Sequence, residues 1–354
     1  FSGIWIMAYT TIDNPELHFQ CATWNGTGSA LSVTLPGSED MQPDMVIVKN
    51  RDLSSDWRIT DSVRGTSAHL VPNGTDAEDS SSTALTAFNS DGFSVGSEQS
   101  YSRSGDTHVG WCFKGGGSAS NNTNGSINAS VSANPTAGFS IVSWTSDGSD
   151  ATIGHGLSSA PRFIFHKHRG GSVQWNVYAN VPSAGTGGYL RIDSTNAWAS
   201  NSGFFGTAPN DSVFSPGSHS YMSGNSNTNI AYCFSDVKGY CKVGYYKGNG
   251  DSSNGPFVYT GFKPAFLLIK EVNGADVWVL YDNKRKGYNT ANYTLEVDGG
   301  GSEGTAVDRM HLLSNGFRIT YNWTPTNTSG QTYLYVALAE SPFVNSNGVP
   351  TNAR

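Results

Sequence analysis

Pro43-Asp-Met-Val-Ile-Val-Lys49, Pro161-Arg-Phe-Ile-Phe-His-Lys167 and Pro264-Ala-Phe-Leu-Leu-Ile-Lys270 are three versions of one segment, spaced 118 and 103 residues apart. Each sets a short apolar run, rich in Val, Ile and Phe, between a proline and a lysine. No 3.6-residue periodicity surrounds these runs. A run of that length without helical periodicity describes a central β-strand buried on both faces.

Working outward, the same spacing recurs. Trp57, Trp175 and Trp278 lie 118 and 103 residues apart. Downstream stand Ser-Asp-Gly-Phe93, Asp-Ser-Val-Phe214 and Ser-Asn-Gly-Phe317, offset by 121 and 103. Each copy closes on a run holding a small residue: Val109-Gly-Trp-Cys-Phe113, Ile230-Ala-Tyr-Cys-Phe234 and Val336-Ala-Leu338. Upstream, Phe139-Ser-Ile-Val-Ser-Trp144 alternates with the period of two that marks a half-buried strand. Gly/Asn turns such as Trp24-Asn-Gly-Thr-Gly28 supply positive φ for tight β connections. No segment carries a capped i, i+3, i+4 stripe, so helix should stay below a tenth of the chain.

A period near 110 residues exceeds the roughly 20–50 of a solenoid unit and matches an independently folding domain. The expected fold is therefore all-β: a tandem array of three related β-sandwich domains, jelly-roll or lectin-like, behind a short N-terminal arm. The boundaries read as arm 1–12, first repeat 13–115, Gly/Ser/Asn linker 116–136, second repeat 137–239, third repeat 240–343 and tail 344–354. The linker composition predicts slack, so the first domain should swing while the other two move together.

Composition narrows function. Charged residues make up 14% of the chain, against about 25% in an ordinary globular protein. With 12% aromatic and 37% apolar residues, the chain can still build cores. The net charge of −7 and the lack of a basic stripe argue against nucleic acid. No apolar run reaches the roughly 18 residues of a membrane-spanning helix. Cys112 and Cys233 occupy matching strand positions, with Ala339 expected at that place in the third copy, and read as core thiols. Cys21 and Cys241 fall in opening strands.

No catalytic constellation can be assembled: acidic residues scatter through loops, and none recurs in all three copies. Asp61 with Arg64 follows Trp57 as Asp282 with Arg285 follows Trp278, whereas the second copy has Ala179 and Pro182. A salt bridge at a strand end is the simplest reading, with ligand contact as the alternative. The repeated Trp57, Trp175 and Trp278, with Phe93, Phe214 and Phe317, read as structural core; a sugar-stacking platform is the other reading of the tryptophans. Trp198 and Trp323 do not repeat and sit among Ser, Asn and Thr, a setting for recognition. They are candidate ligand contacts. Histidine and cysteine spacing suggests no zinc; Asp147, Asp150 and Asp251 lie in Gly-rich loops that could bind calcium, though no 12-residue EF-hand loop holds them. No cofactor is expected.

Several strings together resemble a three-repeat family of virion structural proteins of tailed bacteriophages, mostly marine. They include Met7-Ala-Tyr-Thr-Thr-Ile-Asp-Asn-Pro-Glu16, Asp61-Ser-Val-Arg-Gly65, Ala151-Thr-Ile-Gly-His-Gly-Leu157 and Tyr281-Asp-Asn-Lys-Arg285. The resemblance begins at Met7 and covers essentially the whole chain from there. It implies a tail-fibre-like or lectin-like component of the particle surface, and no catalytic residue is carried over with it. The expected function is a non-enzymatic fibre or spike adhesin, with host glycan as a candidate ligand. Capsid decoration is the first alternative, and a secreted carbohydrate-binding or carbohydrate-active protein the second. Expected partners are other virion proteins and further copies of the chain. Phe1, Ile4, Trp5, Ile6 and Tyr9 place large apolar groups on a segment too short to bury them, so the arm is the expected docking element.

Overall fold

Each post-proline run is a strand, Met45–Asn50, Phe163–His168 and Phe262–Glu271, in a computed structural model that describes residues 9–181, 187–286, 289, 293–305 and 307–351. On one side each pairs antiparallel with a closing strand: Thr107–Phe113, Thr228–Phe234 and Thr332–Pro342. The closing strands pair in turn with the opening strands Phe19–Asn25, Phe139–Thr145 and Cys241–Lys247. On the other side lie Arg58–Asp61, Asn176–Ala179 and Val279–Asp282, each starting one residue after its tryptophan. The order opening, closing, post-proline, tryptophan strand thus occurs in three sheets. Strand accounts for 41% and helix for 5% of the structure, which is all-β and consistent with sandwich packing.

A smaller antiparallel sheet accompanies each large one. Gly92–Val95 pairs with Leu31–Val33 and Leu85–Asn89, Ile153–Gly154 pairs with Val213–Phe214, and Gly316–Ile319 pairs with Phe257–Tyr259 and Met310–Leu313. Burial on both faces of the post-proline strand follows from this arrangement. Val46 and Val48, with Cys112, pack against Phe93, Val95 and Tyr101 of the first small sheet and its neighbouring helix. Ile164 and Cys233 pack likewise with Phe214 and Met222. The alternate residues Met45, Phe163, Phe165 and Phe266 turn to the opposite face and enter a second core.

That second core is shared by all three units. It gathers Trp111 and Phe113, Tyr232 and Phe234, and Val336 and Leu338 from the three closing strands. The Phe113 ring lies 5.9 Å from both Phe234 and Phe266, and 5.0 Å from Phe19. A void of about 40 Å³ is lined by apolar side chains of all three units, among them Ile47, Phe163 and Val336. Phe93, Phe214 and Phe317 are fully buried in their sandwiches.

Residues 116–136 depart from the slack linker expected of their composition. Ala129–Asn134 pairs with the opening strand Phe139–Thr145, and Ser120–Asn122 adds outside it. Ala129 and Val131 are buried, so a period-two strand was hidden inside a polar run. Its hydroxyls and amides complete backbone bonding. Gly116 N–H donates to Ser132 Oγ at 2.9 Å, and Asn134 Nδ2 donates to Lys114 O at 3.2 Å. A smaller correction concerns register: Ala337 pairs with Leu267 as Cys112 does with Val46, so it, not Ala339, is the counterpart of the two cysteines. All four cysteines are free and buried.

Because the linker is paired into a sheet, limited proteolysis of the native protein should spare 116–136; early cleavage there at low protease would contradict this structure. Trp57→Ala should cost roughly 3–5 kcal/mol, the range for truncating a buried aromatic. In urea unfolding the loss should appear in the whole transition, since Trp57 belongs to the shared core. A separate early transition confined to one third of the signal would count against that.

Candidate functional site: the seams between units

The three tryptophans hold the units to one another in a cycle. Trp57 Nε1 donates to Gly299 O at 3.0 Å, Trp175 Nε1 to Val71 O at 2.8 Å and Trp278 Nε1 to Arg191 O at 2.8 Å. The first unit thus bonds to the third, the second to the first and the third to the second. All three side chains are at most 1% exposed, leaving no face for a sugar. Two of the three repeated lysines act at the same seams, and the third bonds within its own unit. Lys167 Nζ donates to Thr75 O of the first unit at 2.9 Å, and Lys270 Nζ to Thr195 O of the second at 3.1 Å. Lys49 Nζ donates to Asn50 O and Leu53 O at 2.6 and 3.1 Å. Burial pushes all three ammonium groups down to about 8.

Two seams are locked by buried charge. Between the first and second units, Arg64 Nε meets Asp61 Oδ2 at 2.6 Å and Arg64 also meets Glu78 at 3.0 Å. Arg169 of the second unit grips the same Glu78 at 2.7 Å, and Tyr232 donates its hydroxyl to Asp61 at 2.7 Å. Between the third and first units the pattern recurs: Arg285 with Asp282 at 2.6 Å, Arg285 with Glu303 at 2.9 Å, and Arg51 with Glu303 at 2.8 Å. Here Trp111 Nε1 donates to Asp282 at 3.1 Å. Asp61, Arg64, Asp282 and Arg285 are therefore enclosed on all sides, and the geometry overturns the ligand-contact alternative for them. Burial alone would raise the Asp282 carboxyl, but the charge and hydrogen bonds of Arg285 outweigh it and hold it below its ordinary value. Glu78 is lowered too: burial opposes, and Arg169 and Arg64 prevail.

The seam between the second and third units is built differently. Backbone hydrogen bonds identify equivalent positions: Glu78 N–H donates to Arg169 O, Glu303 N–H to Arg51 O, and Trp198 N–H to Val272 O. The next link is also shared, from Arg169, Arg51 and Val272 N–H to Thr228, Thr107 and Thr332 O. Trp198 thus stands where the other seams have glutamate, and Val272 where they have arginine. A cleft of about 700 Å³ opens here, lined by Trp198, Tyr245, Lys247, Asn273, Gln331 and Thr332 together with Val272. Trp198 is half-buried and its ring sits on Gly188, where any Cβ would collide with Cζ2.

The remaining candidates go elsewhere. Trp323 is half-buried against the core, with the Arg309 guanidinium 3.7 Å above its ring, so that face is occupied. It does not line the Trp198 cleft. Tyr9 lies on the third unit of its own chain: its hydroxyl donates to Gly261 O at 2.9 Å and is 3.1 Å from Tyr259 Oη. Phe1, Ile4, Trp5, Ile6 and Pro182 fall outside the described residues. Asp251 accepts from Ser253 N–H and Asn254 N–H at 2.8 Å, closing its own turn. Among the described residues no three His, Cys, Asp or Glu side chains are placed to hold a metal ion.

Sequence reasoning picked out Trp198 but not Val272, Gly188, Asn273 or Gln331. A signal for the site was present. Asn73, Asp193 and Asp298 recur 120 and 105 residues apart, and five residues beyond each stand Glu78, Trp198 and Glu303. Trp57 and Trp278 N–H donate to Asn73 and Asp298 Oδ1, which shows why that anchor repeats.

Fold and seams together describe an all-β protein, consistent with sandwich packing, with an aromatic-lined cleft at one seam. The chain belongs to the family described as a domain of unknown function, DUF7483, whose model matches residues 14–342. A comparison with curated proteins finds no match.

The charged seams generate two expectations. Arg285→Ala leaves Asp282 buried without its cation and should destabilise by about 3–5 kcal/mol, readable by urea unfolding; a change under about 1 kcal/mol would remove the seam role. On pH, Asp282 and Glu78 have depressed folded values, so their stabilisation is present above the ordinary 3.8 and 4.5 and is lost as pH falls further. The lysines act in the opposite range. Unfolded lysine keeps its ordinary 10.5, so the burial of these groups opposes folding below about pH 8 and that penalty is relieved as pH rises to 10.5. Carbon-13 titration of the Cε resonances should show three midpoints near 8, and midpoints all at or above 10 would refute the burial argument.

Proposed function

We propose that this chain is a non-enzymatic recognition protein of a bacteriophage particle surface, of the fibre or spike type, which binds host-surface glycan in the Trp198 cleft. One observation carries the binding reading: the cleft forms at the one seam where an aromatic side chain replaces the buried glutamate. Its size falls within the roughly 300–1,000 Å³ of small-ligand sites, and its mixture of aromatic and polar groups is what such sites use. An indole can stack on the C–H face of a pyranose. Asn273, Gln331, Thr332 and Lys247 supply amide, hydroxyl and ammonium groups for sugar hydroxyls. The virion assignment rests on the resemblance of the quoted strings and is compatible with the polar, weakly charged composition.

The fold suits that role physically. Three units sharing a core and buried seams give a rigid body, and a binding site held on rigid elements loses little conformational entropy on binding.

The expected result is that Trp198→Ala lowers glycan affinity at least about tenfold, the effect of losing roughly 1.4 kcal/mol, with the unfolding midpoint nearly unchanged. Isothermal titration with hits from a glycan array measures it. Unchanged affinity would locate binding elsewhere. Mass spectrometry of purified particles tests the virion assignment, which fails if the chain is absent from them.

A further inference from the structure

We infer that the Trp198 cleft selects a neutral sugar over an acidic one, and that Trp198 and Val272 set this selectivity; the inference rests on the glycan reading above. The evidence is a three-way comparison inside one chain. At two seams the equivalent row holds a glutamate clasped by two arginines, Glu78 by Arg64 and Arg169, and Glu303 by Arg285 and Arg51. At the remaining seam uncharged residues take the charged positions: Trp198 for the glutamate, Val272 for one arginine, and in sequence Pro182 for the other. Capture of a carboxylate or sulfate by protein side chains favours the bidentate fork of arginine. Both arginines that this architecture could offer are absent here.

The charges left near the cleft point the same way. In sequence, Glu271 and Asp276 flank the turn carrying Val272 and Asn273 and add negative charge beside it. Lys270 is buried, with its ammonium spent on Thr195, Glu271 and Gly274 carbonyls. Lys247, exposed at the rim, is the single cation among the described residues lining the cleft. An exposed ammonium paired with a sugar carboxylate contributes at most about 1 kcal/mol, short of the roughly 1.4 kcal/mol that a tenfold preference for an acidic sugar requires. A neutral hexose or N-acetylhexosamine uses the indole, the amides and the hydroxyls without that contest.

The test uses the full chain on a glycan array holding neutral hexose and N-acetylhexosamine oligomers beside uronic- and sialic-acid oligomers, followed by titration of the best member of each class. The parent should prefer a neutral member by about tenfold or more. Trp198→Phe, which keeps an aromatic face, should retain affinity within about threefold. The double variant Trp198→Glu with Val272→Arg restores the glutamate and one of the two arginines of the other seams. It should stay folded by circular dichroism while losing neutral-sugar binding. Tighter binding of an acidic oligomer by the parent overturns the selectivity and leaves the glycan reading standing. An array with no binder of either class overturns both. A folded double variant that still binds the neutral sugar removes the role of Trp198 and Val272.

Discussion

Each repeated tryptophan buries a large apolar surface together with one N–H, and a buried N–H without an acceptor costs about 1–3 kcal/mol. None of Trp57, Trp175 and Trp278 finds its acceptor in its own unit. Each finds a backbone carbonyl in another, and the three bonds run around a closed cycle. Separating any unit would orphan two of these groups, one given and one received, and expose the phenylalanines gathered around Phe113. The lysines reinforce the constraint, because Lys167 and Lys270 also spend their ammonium groups on carbonyls across a seam. Everything else in the architecture accommodates this cycle.

The charged seams add definition more than net stability. Burying an ion pair costs desolvation that its Coulomb attraction repays only when geometry and further hydrogen bonds are good. Arg64 and Arg285 meet that condition, each bridging an aspartate of its own strand end, a glutamate and a backbone carbonyl. Wrong neighbours would leave such groups unpaired, so the clusters specify which unit sits beside which. The second–third seam gives up this device. With Trp198 and Val272 in place of glutamate and arginine, the units are held there by apolar packing, the Trp278 and Lys270 bonds to backbone carbonyls and the Trp198–Val272 backbone bond, and a cleft remains open.

A repeated chain therefore carries its functional candidate where the repetition fails. Positions that recur three times, such as Trp57, Lys49 and Phe93, are explained by packing and seam bonding. Positions that break the pattern, Trp198 and Val272, mark the cleft. Trp323 also breaks it, but Arg309 covers its ring, so irregularity in sequence alone did not separate a cleft-lining residue from a packed one.

The sequence by itself determined the strands. Alternation, proline-bounded apolar runs and Gly/Asn turns are local signals, and they placed the post-proline strands and their two-sided burial correctly. It could not show what lay on the second side. An apolar face reads the same whether it meets its own sandwich or another unit, so the shared core and the cycle of tryptophan bonds had to come from tertiary structure. The Gly/Ser/Asn stretch at 116–136 misled for a related reason: Ala129 and Val131 form too short an apolar pattern to register until an open strand edge is present to receive them. Asp61 with Arg64 and Asp282 with Arg285 were legible as pairs. Only the fold decided that Tyr232 and Trp111 from neighbouring units would seal them, because burial of a charge depends on partners far away in the chain.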